Sequence, residues 1–170
     1  MGVTIHFQGR LPDEAAYQQL VAAAISVADH NGWSYDRIDT SDTKLLRVRE
    51  NEEPWDYLGP TRGLVIHIDD NCEPIRLEFD RDLYIQEWVK TQFAGAATHI
   101  NVVETLRMLQ ANFSDLRVQD EGEFWESGSL ERLAKHIDTC DRTIRKLAAE
   151  HPGAQIKVKE PDGRIIDLIT

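Results

Sequence analysis

The chain has 170 residues, 41% of them hydrophobic, with four tryptophans, four tyrosines and five phenylalanines. That is enough apolar material for one core without disulfide or metal staples, and it excludes a disordered chain. The formal charge of −11, from 19 basic and 30 acidic side chains, repels phosphate backbones and anionic lipid surfaces, so nucleic-acid and membrane partners are disfavoured.

Met1–His6 lacks the basic and apolar regions of a signal peptide, and no run reaches the length of a membrane span. Cys72 and Cys140 lie far apart and form no C-x-x-C pair, so reduced thiols and a cytoplasmic address are expected. Cys72 follows Asn71 and precedes Glu73, a neighbourhood that raises a thiol pKa.

Val3, Ile5 and Phe7 alternate with Thr4, His6 and Gln8, which predicts a first strand. A helix follows over 13–31, with Tyr17, Leu20, Val21, Ala24, Ile25 and Ala28 as its apolar stripe and Gly32 as its stop. Trp33–Ile38 and Lys44–Glu50 read as strands joined at Thr40-Ser41-Asp42. Asn51–Gly63, with Pro54, Gly59 and Pro60, reads as a loop.

Gly63–Asp80 carries the clearest pattern, a hairpin with Leu64, Ile66, Ile68, Ile75, Leu77 and Phe79 on one face. A four-residue loop at Asn71–Pro74 sets Ile66 opposite Phe79, Ile68 opposite Leu77, His67 opposite Glu78 and Asp69 opposite Arg76. A slip of one residue would turn an apolar row to the wrong side.

The i,i+4 pairs Tyr84/Trp88 and Ile85/Val89 favour a helix within Leu83–Phe93. A further helix is predicted over 98–113, then a short strand at Leu116–Val118 and an acidic loop at Asp120–Gly128. Ser129 caps a long helix to Glu150, whose apolar residues Leu130, Leu133, Ile137, Cys140, Ile144 and Leu147 form a heptad-like seam. Ile156–Lys159 and Arg164–Ile169 flank the turn Glu160-Pro161-Asp162-Gly163 and make a C-terminal hairpin over 155–170.

Strands gathered in blocks predict an α+β fold in a single domain over 1–170. The expected architecture is two-layer, a mainly antiparallel sheet with the helices 13–31, 98–113 and 129–150 on its apolar face and a polar face opposite. A weak strand-helix-aromatic-strand echo between Val3–Asp39 and Ile75–Gln119 raises an internal β-α-β duplication, although its matches are generic and its spacings differ.

The polar hairpin face is the first candidate for chemistry. His67, Glu78 and Asp80 project from it, and carboxylates with an imidazole serve as acid and base or hold a divalent ion. Cross-strand ion pairing on a solvated face is the plainer reading. His6, Arg47 and Arg49 would share that face and make it a mixed-charge surface. His99, near the start of a helix, is a candidate neutral base.

Arg62, in Gly59-Pro60-Thr61-Arg62-Gly63, is a candidate anion ligand, although the glycine-flanked segment lacks the lysine and following helix of a P-loop. Trp55, Tyr57 and Trp125 are candidates to line an aromatic cleft. There is no G-x-S-x-G, H-E-x-x-H or G-x-G-x-x-G, and no cofactor is implied. The function expected is a non-enzymatic acidic binding or interaction module, with a protein partner or a second copy as its mate. A small metal-assisted hydrolase and a small-molecule carrier are the alternatives.

Overall fold

In the computed structural model, which describes residues 2–48 and 54–170, the chain is α+β, with antiparallel strands in three small sheets. The elements in order are β1 (Thr4–Arg10), α1 (Glu14–Asn31), β2 (Ser34–Arg47), β3 (Trp55–His67), β4 (Ile75–Phe79) and β5 (Tyr84–Lys90). There follow α2 (Ala96–Leu109) with a 3-10 turn at Gln110–Asn112, β6 (Asp115–Asp120), α3 (Phe124–Ser127), α4 (Leu130–Glu150), β7 (Gln155–Lys159) and β8 (Ile165–Ile169). The sheets run β5-β1-β6, β2-β3-β4 and β7-β8. Among the described residues no helix is long and apolar enough to cross a membrane.

Local chemistry sets the helix ends. Asp13 caps α1 by accepting from the Ala16 N–H at 2.8 Å, and Gly32, at φ 69°, closes it with its N–H on the Ala28 and Asp29 carbonyls. Ser129 caps α4 through the Arg132 N–H at 3.2 Å.

One core lies under the apolar faces of the two larger sheets. Ile5 and Phe7 of β1, Leu64 and Ile66 of β3, Ile75, Leu77 and Phe79 of β4, and Ile85 and Val89 of β5 meet α1, α2 and α4 there. Each such side chain contributes about 1.5–3 kcal/mol on burial, so this layer dominates stability. The α4 seam belongs to the same core. Leu133, Cys140 and Ile144 are buried and Ile137 packs beside them, while Leu130 and Leu147 at its ends stay exposed.

Four expectations change. First, Leu83–Phe93 holds the strand β5 rather than a helix. Residues four apart share a face in both periods, so the Tyr84/Trp88 and Ile85/Val89 pairs do not discriminate. Second, the expected loop Asn51–Gly63 contains most of β3. Pro60 is tolerated because β4 pairs only with Arg62–Ile66 and Pro60 lies beside the irregularity in the β2 ladder between Thr40 and Thr43, where no regular ladder bond is demanded of its missing N–H.

Third, the segments on either side of Thr40-Ser41-Asp42 form one strand, β2, that passes through this bulge. Fourth, the hairpin register is displaced: Ile66 pairs with Ile75 and Gly63 with Glu78, while His67 pairs with Ser34 of β2. The displacement of four residues is even, so the apolar row keeps its face. Gly63 permits the close approach of β3 to β4, since a Cβ there would stand 1.7 Å from the Leu77 carbonyl oxygen.

Candidate functional site

β4 and β5 are successive strands joined by a tight turn, yet they do not form a ladder. Their main chains bond at the two ends, Asp80 N–H to Tyr84 carbonyl at 3.0 Å and Glu73 N–H to Lys90 carbonyl at 3.1 Å. Between these points the sheets part, and two guanidinium groups fill the seam. Arg47, from the end of β2, donates to the Gln86 carbonyl at 3.2 Å and lies 3.6 Å from Asp80. Arg164, from the turn before β8, donates to the Trp88 carbonyl at 2.8 Å, to Glu87 at 2.6 Å and to Glu73 at 3.4 Å. Carbonyls that a β4 ladder would satisfy are thus met by arginines from elsewhere in the chain.

Both arginines also use rings. Arg164 stacks 3.9 Å from the centre of the Trp88 ring and Arg47 lies 5.3 Å from that of Tyr84. Arg47 is 1% exposed. Glu87 is 5% exposed, and burial pushes its carboxyl up to about 7 against the pull of Arg164, with Glu78 adding to the rise. Glu73, also buried, uses both oxygens, accepting from the Ile165 N–H at 2.9 Å and the Lys90 N–H at 3.0 Å. With Ile165 its one fully buried hydrophobic residue, the β7–β8 hairpin is held to the body largely by these polar contacts.

Where the sheets part, a cleft of about 950 Å³ opens on the polar side. Its floor is built of cross-strand rows on the β5-β1-β6 sheet. One row is Trp88, His6 and Gln119, and the next is Gln86, Gln8 and Arg117. The other wall is the end of β2 from Lys44 to Arg47 and the following Val48, with Arg76 and Glu78 of β4, and the turn holding Asp162 and Arg164 closes one end.

Among the described residues five Lys and Arg side chains line this space, and each has a carboxylate. The pairs are Lys44 with Asp56 at 2.7 Å, Arg47 with Asp80 at 3.6 Å, Arg76 with Glu78 at 3.7 Å, Arg117 with Asp115 at 3.2 Å and Arg164 with Glu87 at 2.6 Å. As formed by the described residues, the cleft is therefore charge-compensated and rich in hydrogen-bonding groups, with no bare cationic patch among them.

The structure disperses most of the residues singled out from the sequence. His6, Arg47 and Glu78 do meet at the cleft. Glu78 and Asp80 are buried, not solvated, because Thr61 donates to Glu78 at 2.6 Å and Asp80 caps the β4–β5 turn through the Asp82 and Tyr84 N–H groups. His67 lies apart from them, 3.0 Å from Asp36. Among the described residues no group of three or more His, Cys, Asp and Glu side chains is placed to hold a metal ion. Arg49 lies outside the described residues.

Arg62 is on the helix side, where it grips Glu14 through two bonds and lies 4.0 Å from the centre of the Tyr17 ring. Trp55 and Tyr57 belong to β3, and Trp125 sits 5.5 Å from Arg107 of α2; none of the three lines the inter-sheet cleft.

His99 is 0% exposed. Its Nε2–H donates to Asp120 at 3.1 Å and its Nδ1 lies 2.7 Å from the Thr91 hydroxyl. Asp120 further accepts the Gly122, Phe124 and Trp125 N–H groups. Burial raises its pKa, but the bonds from His99 and the main chain outweigh this and leave the carboxyl below its ordinary value. The arrangement resembles a hydrolytic relay in composition, but it is enclosed and pins α2, α3 and β6 together. Cys72 is likewise inert. Burial, with Asp69 and Glu73, pushes its thiol up to about 12.

Gln86, Glu87 and Arg164 were not singled out from the sequence. The signal for the first two was the alternation of Tyr84, Gln86 and Trp88 with Ile85, Glu87 and Val89. Nothing local marks Arg164, whose partners lie more than 70 residues away.

No protein-family model matches this sequence, and neither the curated proteins nor the solved structures contain a match to it.

Proposed function

We propose that this chain is a non-enzymatic binding module whose ligand occupies the inter-sheet cleft. The observation that carries this reading is the cleft itself. Its volume of about 950 Å³ suits specific recognition, and its floor combines planar amides with a partly exposed tryptophan. Its ionic groups favour binding over catalysis, since the buried carboxylates Glu78 and Glu87 are already engaged by arginines and, at Glu78, a hydroxyl. The raised Glu87 is accounted for by its burial in the seam against Arg164, as structural ion pairs also perturb titration. With the middle of the α4 seam taken up by the core, the cleft is the surface on which a partner reading rests.

Trp88 supplies the reporter. Titration of the whole chain with a panel of polar metabolites and of short peptides should give a saturable change in tryptophan emission that disappears in Trp88→Phe. A flat response to every member of the panel overturns the reading.

A further inference from the structure

The cleft already holds one piece of extended chain, its own. The Val48 N–H donates to Gln86 Oε1 at 2.7 Å, and Gln86 Nε2 donates back to the Val48 carbonyl at 2.5 Å. One side-chain amide thus makes the pair of bonds that a neighbouring strand would make. Gln8 steadies Gln86 from the next strand at 3.0 Å. One residue earlier, Arg47 drops into the seam. This polar face therefore grips extended polypeptide through its main chain.

The rest of the face has the same chemistry and is not covered by the described chain. Gln119, His6 and Arg117 continue the rows out to β6, the outermost strand of that sheet. The opposite wall offers apolar surface, with Leu46 64% and Val48 52% exposed. A strand lying between these walls would present successive side chains to opposite sides.

Resting on the binding-module reading, we infer that the occupant is an extended segment of a partner polypeptide with an alternating pattern. Its apolar side chains meet Leu46 and Val48, its neutral polar side chains meet Arg117 and His6, and Gln119 reads its main chain as Gln86 reads Val48. A small anion is a poorer fit, since every Lys and Arg lining the cleft among the described residues already has its carboxylate. A nucleic acid meets the field of the −11 chain.

The test is to pan a phage-displayed library of random linear peptides on the full chain and to measure the selected peptides by fluorescence anisotropy. Alternating apolar and neutral polar sequences should be enriched. Arg117→Ala should weaken them about tenfold, the loss expected for one charge-assisted hydrogen bond, and Gln119→Ala should weaken them measurably. Arg145→Ala, on the far surface of α4 beside Asp141, should change nothing. Arg117 and Gln119 are exposed, so circular dichroism should show both variants folded.

Selected peptides that ignore both cleft substitutions refute the inference. So does failure to enrich any peptide while a small polar molecule shifts Trp88 emission, and in that case the binding-module reading survives. A native-mass dimer dissociated by Arg117→Glu, with no peptide bound, would assign the cleft to a second copy and also refute it. No response to peptides, small molecules or self-association removes both readings.

Discussion

Replacing Glu87 with Gln tests the electrostatics of the seam. The carboxyl titrates near 4.5 when free and is pushed up to about 7 in the fold, a difference worth about 3 kcal/mol. Between those pH values the folded chain binds this proton more tightly than the unfolded chain. The Glu87 contribution to stability is therefore fully present below about 4.5, declines as pH rises through about 7, and is constant above. Gln keeps the shape and removes the titration. In urea unfolding at a series of pH values, other groups act alike in both chains, so the stability difference isolates Glu87. The variant should gain about 3 kcal/mol on wild type between pH 4.5 and 8, on top of any constant offset from the altered bond to Arg164. A difference that does not vary with pH refutes the reasoning. A difference of opposite sign would mean that the 2.6 Å contact with Arg164 outweighs burial.

Two further substitutions probe the scaffold. Gly63→Ala would place a methyl group 1.7 Å from the Leu77 carbonyl oxygen and must separate β3 from β4, so its thermal midpoint should fall sharply, whereas midpoint retention would show that the two strands are not so closely apposed. Asp120→Ala strips His99 and three N–H groups of their acceptor in a buried site and should cost about 3–5 kcal/mol in urea unfolding; because the carboxyl is held below its ordinary value, the wild-type contribution is present above about pH 4 and is lost as pH falls through the folded value, so a loss that persists unchanged into acid would count against the pairing.

The parts of the fold legible in the sequence are those set by near neighbours. Period-2 and period-3.6 patterns give β1, α1, β4, α4 and the buried rows of the hairpin, because a side chain four residues on still faces the same way whatever the register. What escaped depends on distant partners. Glu87 interrupts an otherwise apolar row between Ile85 and Val89, which conceals the strand, and its burial is intelligible only beside Arg164. Pro60 and two glycines give β3 the composition of a loop, and only the short reach of β4 and the bulge opposite make the strand possible.

The same distinction accounts for the candidate site. Residue types capable of chemistry were visible at His67, Glu78, Asp80 and His99, but the exposed His67 pairs with Asp36 away from the others, and the buried three are satisfied by Thr61, main-chain N–H groups and Asp120. The proposed ligand would meet the side chains that the fold leaves turned to the cleft: Gln119, His6 and Arg117 on one side and the apolar Leu46 and Val48 on the other. No single residue in that set is a motif. It arises because β4 and β5 part and two arginines hold them apart, a juxtaposition made by segments as distant as Arg47 and Arg164. The proposed binding function is therefore tested at the seam and the cleft beside it.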